Sequence, residues 1–220
     1  MACGLDRAPA AAMMRAPFRA AYTLLEPVAP PSTLRGKPAT RRTLLSRRDG
    51  LTAETRARAS VQIAANAARL IAEYAITGTV ALYAAKGSEV DTAPLDALLR
   101  ARAIAIAYPR VGDGRTLSFH LASPVELASG RFGLREPRAD SPAIALDAIG
   151  AFIIPGVAFD RAGGRIGWGR GHYDATLAAA PHAVRIGLAF DCQVLDQVER
   201  DPHDALLHAI VTDVATYRVA

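Results

Sequence analysis

A continuous apolar stretch, Ile149–Ile154, runs into Pro155-Gly156-Val157-Ala158-Phe159-Asp160 and, after a short turn, into Arg165-Ile166-Gly167-Trp168-Gly169-Arg170-Gly171-His172-Tyr173-Asp174. A buried strand, a turn and three alternating glycines that open directly onto a helix leave few architectures available. The rest of the chain extends the same alternation. Residues 38–48 read as a helix with Gly50 as its stop. Thr52 is an N-cap for a longer helix, with Glu54 suited to its first turn. Val61, Ala64, Ala68, Ile71 and Ala75 follow the 3–4 spacing of a buried stripe along that helix. Strands are predicted at 79–83, at 104–108 with Pro109 as a stop, at 117–121, at 184–189, and last at 209–212. Helices are predicted from Thr92-Ala93-Pro94 to about Arg102 and over 173–180, with a helical turn at 124–127 and a loop over 131–142. Strands alternating with helices predict an α/β fold, a mainly parallel sheet with helices on both faces. Ligands of such sheets sit beyond the carboxyl ends of the strands, which is where the glycine run would follow Ile154.

With 220 residues, half of them apolar, the chain suffices for one α/β domain with a substantial core. Residues 1–34 carry Pro9, Pro17, Pro27, Pro30 and Pro31 among many alanines and show no sustained period. They read as a poorly ordered extension ahead of a single domain at 35–220, or as an upstream start with Met13 or Met14 as the true one. No apolar run reaches the roughly eighteen residues a membrane helix needs, so no membrane partner is expected. Cys3 and Cys192 make neither a metal cluster nor a disulfide framework, and a reducing cytoplasm is the simplest setting. The net charge of +5 is local. Residues 35–58 hold eight cations (Arg35, Lys37, Arg41, Arg42, Arg47, Arg48, Arg56, Arg58) against Asp49 and Glu54, a balance of +6 that leaves the remainder at −1. Such a stretch suits a polyanionic small molecule, a nucleic acid or a merely solvated basic face. It lacks the interleaved aromatics of a base-stacking platform, so a nucleic-acid partner is not expected.

Each candidate site residue has two readings. The glycine run matches neither G-x-G-x-x-G, since His172 stands three after Gly169, nor a Walker loop, which needs G-K-[ST]. It is a tight structural loop, or a phosphate cradle in which Cβ-free backbone and unpaired N–H groups of a helix start meet an anion, with Arg165 and Arg170 adding charge. Lys37 and Arg41, four apart, share a helix face: two cations converging on an anion, or part of an exposed basic face with Arg42, Arg47 and Arg48. Glu89, just past a strand, is a solvated loop acid or an acceptor for the N–H groups of a heterocycle. Asp174 and Asp204 are a helix-dipole partner and a turn residue, or two carboxylates that hold Mg²⁺ beside phosphates. His172 serves acid–base chemistry, or stacks on or hydrogen-bonds to a ligand.

In order along the chain, these parts are Lys37-x-x-x-Arg41, Glu89-Val90-Asp91-Thr92, Glu136-Pro137, Pro155 to Asp160, the Arg165 to Asp174 run, and His203-Asp204. The ordered set resembles the 5-formyltetrahydrofolate cyclo-ligases, or 5,10-methenyltetrahydrofolate synthetases, over residues 37–213. The resemblance implies a fold akin to the sugar-phosphate isomerase and CoA-transferase folds. It implies ATP-driven, Mg²⁺-dependent closure of 5-formyltetrahydrofolate to 5,10-methenyltetrahydrofolate, with release of ADP and phosphate, by a monomer. Carried over by position, Lys37, Arg41, Arg165, Ile166, Gly167, Trp168, Gly169, Arg170, Gly171, His172 and Tyr173 would bind ATP. Asp174 and Asp204 would bind the metal, and Glu89 with Trp168 and His172 would face the folate. His172 stands where the family often has tyrosine, Ala175 where arginine is common, and His208 where an acid often follows the His-Asp pair.

Overall fold

The computed structural model describes residues 36–219; the expected Ala/Pro-rich extension over 1–34 lies outside the described residues. The elements in chain order are α1 (Lys37–Asp49), α2 (Ala53–Glu73), β1 (Thr79–Ala81), α3 (Ala93–Arg100), β2 (Ile106–Arg110), β3 (Ser118–Leu121), β4 (Ala128–Ser129) and β5 (Arg135–Glu136). There follow β6 (Ala143–Ile144), β7 (Ile149–Ile154), β8 (Ala158–Asp160), β9 (Arg165–Ile166), α4 (His172–Ala179), β10 (Val184–Leu188), β11 (Val194–Leu195), β12 (Ala209–Val211) and β13 (Thr216–Arg218). Eight strands form one sheet in the order β13-β12-β10-β7-β1-β2-β3-β6. Its five central strands, β12 to β2, are parallel, and β13 at one edge and β3 and β6 at the other are joined antiparallel.

Side-chain alternation along the central strands builds two apolar layers. Val80, Ile106, Tyr108, Ala151, Ile153, Ile186 and Val211 pack with the buried faces of α2 and α3. Ala81, Ala107, Phe152, Ile154 and Ile210 point the other way, toward Leu177 of α4, with Phe119 edge-to-face on Phe152 at 5.3 Å. A smaller cluster joins Leu44 of α1 to Val157, Ala158, Ile166 and Leu195 in the β8–β9 hairpin and its parallel neighbour β11. Thr52 caps α2 by accepting the Thr55 N–H at 3.1 Å, as its position predicts.

Several expectations are corrected. Pro109 does not stop its strand: β2 continues to Arg110, and Pro109 pairs with Phe119. The Ala107 carbonyl accepts from Leu82 N on the β1 side, so the missing Pro109 N–H faces that side too, beyond the last β1–β2 pair. Val61 is 59% exposed, because the buried arc of α2 is centred on Ile63, Ala64, Ala67 and Ile71, roughly a third of a turn away. Ala75 lies past the helix, with the left-handed φ of 48° that ends it. The loop expected over 131–142 contributes to a short hairpin, β4–β5, and β13 follows the strand expected to be last.

Asp160 holds the hairpin that leads into the glycine run. It is 1% exposed, and its Oδ1 accepts the Ala162 and Gly164 N–H groups at 3.0 and 2.8 Å while Oδ2 accepts that of Val198 at 3.0 Å. Asp160→Ala strands two buried donors, Gly164 and Val198 N–H, and a part-buried one, Ala162 N–H, so an unfolding loss of about 2–3 kcal/mol is expected in urea melts; a loss below about 1 kcal/mol would show that water or another group replaces the carboxylate.

Candidate active site

Beyond the carboxyl ends of β1, β2 and β7 lies a cleft of about 530 Å³ lined by Tyr83, Pro109 and Pro155 from those strand ends. Every residue expected at the site lines it: Lys37, Arg41, Glu89, the whole run from Arg165 to Asp174, and Asp204. Three elements bring them together. Burial of Thr40, Leu44 and Arg48 along one stripe of α1 seats that helix on the β8–β9 hairpin and turns Lys37 and Arg41 toward the cleft. Arg41 Nε donates to the Gly167 carbonyl at 2.7 Å, tying helix to loop. The loop itself needs glycine: Gly169 has φ +91°, and Gly171, the N-cap of α4, has φ +69°. A Cβ on Gly171 would lie 2.8 Å from Arg115 Nη2.

At one end of the cleft, cations meet carboxylates. Lys37 Nζ donates to Asp201 Oδ2 and Asp204 Oδ2, both at 2.6 Å. Burial works against the ammonium charge, but the two carboxylates outweigh it and raise the Lys37 pKa. Burial likewise opposes the Asp204 charge; the hydrogen bonds from Lys37 and from Asp201 N–H prevail and lower its pKa. Asp201, His203 and Asp204 present ligand atoms within 4.8 Å of one another, but the chain's own ammonium already sits on two of them. Arg165 Nη2 donates to Asp174 Oδ1 at 2.6 Å, and the same oxygen accepts Ala205 N–H at 3.4 Å, which draws Asp174 up to the segment bearing Asp204. Among the described residues, hydrogen bonds to Asp174 fall on Oδ1 and those to Asp204 on Oδ2. Each therefore keeps one oxygen for a hard cation, and carboxylate oxygens are the donors Mg²⁺ prefers.

The other end is aromatic. Glu89, 9% exposed, accepts Lys86 N–H at 2.9 Å and the Trp168 indole N–H at 2.8 Å. Trp168 is half exposed and lines the cleft, so part of its ring is accessible to a ligand. Tyr173 stands between the ends, its ring 5.8 Å from the Arg165 guanidinium carbon. Burial, reinforced by the Glu89 charge, raises its pKa far above neutrality, so the phenol keeps its proton. Two buried polar atoms here, Tyr173 Oη and Arg165 Nε, have no hydrogen-bond partner among the described residues. Both are donors suited to an acceptor-rich ligand. His172 Nδ1 lies 2.9 Å from the Arg115 carbonyl, which can only accept, so Nδ1 carries a proton, and in the neutral ring Nε2 is the acceptor.

Sequence reasoning missed the opposite wall. Phe132, with φ 59°, stacks under the Arg170 guanidinium at 3.5 Å, and its carbonyl accepts from Lys86 Nζ at 2.5 Å. Arg115 and Arg135 also line the cleft. Phe132 stands 46 residues after Lys86 and 38 before Arg170 in the chain, which leaves no local signal. Asp201 had one, its place beside the His203-Asp204 pair. The basic face expected to include Arg48 is corrected: that side chain is buried behind the cleft, at 2% exposure.

The sequence model of the 5-formyltetrahydrofolate cyclo-ligase family matches residues 33–213. The 5-formyltetrahydrofolate cyclo-ligase of Mycolicibacterium smegmatis is 34% identical over 143 residues, 61% of this chain and 73% of the relative. That of Escherichia coli K12 is 34% identical over 142 residues, 61% of this chain and 77% of the relative. The NMR structure of Aquifex aeolicus 5,10-methenyltetrahydrofolate synthetase superposes with a TM-score of 0.72 at 30% identity, covering 83% of this chain and 92% of that one. A synthetase from Mycoplasma pneumoniae, at 24% identity and a TM-score of 0.67, shares the fold. A sheet of this topology, a cleft at its parallel strand ends and a match over nearly all the described residues lead to one conclusion: the chain belongs to the 5-formyltetrahydrofolate cyclo-ligase family of ligases.

Proposed function

We propose that this chain closes 5-formyltetrahydrofolate to 5,10-methenyltetrahydrofolate at the expense of ATP, with Mg²⁺, as a cytoplasmic monomer. The observation that carries the reading is the division of one cleft into a cationic end, formed by Lys37, Arg41, Arg165 and the amides opening α4, and an aromatic, carboxylate-bearing end, formed by Trp168 and Glu89. A triphosphate suits the first and a reduced pterin the second. The first-turn N–H groups of α4 have no partners within the helix and no side-chain cap, so they are donors for an anion at the cleft. Lys37 spends two of its three N–H bonds on Asp201 and Asp204, and the third can reach a phosphate oxygen. Arg165 Nε and the Tyr173 phenol are donors for further phosphoryl oxygens. Glu89 accepts the N–H groups of the pterin, and the accessible part of the Trp168 indole stacks on its ring. His172, through Nε2 or its ring face, adds a contact on the folate side.

The N5-formyl group is an amide whose oxygen leaves poorly. That oxygen attacks the γ-phosphorus, the bond to the β–γ bridging oxygen breaks, and ADP departs. N10 then adds to the activated carbon and loses its proton, and the C–O bond breaks to release phosphate and leave the methenyl bridge. Lys37, Arg41 and Arg165 neutralise charge that grows on the transferring phosphoryl oxygens, and the rigid cleft holds formyl oxygen and phosphorus in line. Asp174 and Asp204 would hold Mg²⁺ through their remaining oxygens, and the ion would supply further neutralisation of the β- and γ-phosphates. No covalent bond to the protein is needed. No helix of the described residues is long and apolar enough to cross a membrane. Burial, with Asp213 and Asp191 nearby, pushes the Cys192 thiol up to about 11, so it stays protonated and takes no part in the reaction.

The direct test is purified chain mixed with 5-formyltetrahydrofolate, Mg²⁺ and ATP: methenyl absorbance is expected to grow only when ATP is present, and its absence would contradict the assignment. Lys37→Ala is expected to lower kcat/KM for ATP by about 10²–10³-fold; unchanged kinetics would remove Lys37 from the phosphate site.

Glu89→Gln separates the two ends. It keeps the shape and removes the charge, so KM for the folate is expected to rise about tenfold while KM for ATP stays within about twofold. Equal effects on both substrates would contradict the division of the cleft.

The Lys37–Asp204 pair also predicts a pH dependence. The lowered Asp204 pKa stabilises the fold above the unfolded carboxylate value, near 4, and this is lost as pH falls through the folded value. Asp204→Asn is therefore expected to melt below the parent chain at pH 7, with the gap closing toward pH 2. A gap independent of pH would mean that the carboxylate charge contributes nothing.

A further inference from the structure

Of the three arginines of α1 that the reaction above leaves without a task, Arg42, Arg47 and Arg48, only Arg48 is buried, and its setting is unusual. At 2% exposure it is among the largest fully buried side chains, and among the described residues no carboxylate lies within ion-pair distance of its guanidinium. A buried charge without a direct counter-ion is costly and persists where its contacts are needed. Those contacts converge on three separate segments behind the cleft. Nε donates to Ser88 Oγ at 2.9 Å, and Ser88 in turn donates to Asp49 Oδ1, so the nearest negative charge is reached through a hydroxyl. Nη1 reaches the Gly156 carbonyl at 3.4 Å, in the turn after β7. The guanidinium carbon stands 5.7 Å from the centre of the Trp168 ring. Ser88 is the neighbour of Glu89, and Trp168 is hydrogen-bonded to Glu89. One side chain thus touches both supports of the surface assigned to the pterin and does not itself line the cleft.

We propose that Arg48 is a positioning residue that presets the Glu89–Trp168 pair for the reduced pterin, a role that rests on the folate reading above. It acts by holding the Ser88–Glu89 turn and backing the indole, leaving the rest of the ring accessible. It touches neither substrate. Because Ser88, Gly156 and Trp168 belong to three chain segments, loss of the guanidinium releases their mutual register and leaves the phosphate end intact.

Trp168 is the only tryptophan in the chain, so its fluorescence reports on this contact without turnover. In Arg48→Met, which keeps the apolar stem and removes the charge and donors, Trp168 emission is expected to shift and its quenching by acrylamide to change. KM for 5-formyltetrahydrofolate is expected to rise about tenfold, and KM for ATP to stay within about twofold. Arg48→Lys, which restores the charge without the planar fork, is expected to recover part of both effects and carries the test if the methionine variant does not fold. Wild-type emission in a folded variant, or equal rises in both KM values, overturns the proposal. A parent chain that fails to convert 5-formyltetrahydrofolate contradicts the proposed reaction instead, and the emission arm still decides whether Arg48 positions the indole.

Discussion

The seating of α1 on the β8–β9 hairpin is the contact on which the site depends. Leu44, fully buried against Val157, Ala158 and Ile166, fixes the helix, and Arg41 Nε on the Gly167 carbonyl fixes its rotation relative to the glycine loop. The hairpin is in turn braced by Asp160, whose carboxylate accepts from three backbone amides, two of them buried. A helix near the start of the domain and a loop more than a hundred residues later are thereby held at one cleft. Both are amide- or cation-bearing elements that would repel or hydrate separately; apolar burial makes them adjacent.

The charges in the cleft are paired with one another within the chain. Lys37 is shared by Asp201 and Asp204, and Arg165 is paired with Asp174, so the cations that would meet a polyanion already have partners. Donor capacity is nonetheless left over: one Lys37 proton, Arg165 Nε and the Tyr173 hydroxyl. An incoming triphosphate would add to this network and need not dismantle it. Glu89 lies at the far end, where the carboxylate is held by a backbone amide and an indole.

Much of this was legible in the chain. Parallel strands show as short apolar runs because both faces are covered, which made β1, β7, β10 and β12 readable. The glycine run announced a loop with left-handed positions, and Gly169 and Gly171 take them. Strand ends were less legible: Pro109 continues β2 because its missing donor faces a side where pairing has finished, a matter of tertiary register that composition does not carry. The two-residue strands β4, β5, β6, β9 and β11 are too short to show a period. Arg48 is the sharpest miss. Within a run of five arginines and a lysine nothing marks one as buried, and only the convergence of Ser88, Gly156 and Trp168 around it does so.

The central claim is that one cleft takes a triphosphate against the α4 amides and a reduced pterin against Trp168. A crystal structure of the chain with 5-formyltetrahydrofolate and a non-hydrolysable ATP analogue tests it most directly. The account predicts phosphate oxygens within hydrogen-bonding distance of Lys37 Nζ and the amides that open α4, with the pterin on the indole and its N–H groups on Glu89. A triphosphate bound away from the glycine loop, or a pterin bound away from Trp168 and Glu89, would contradict it.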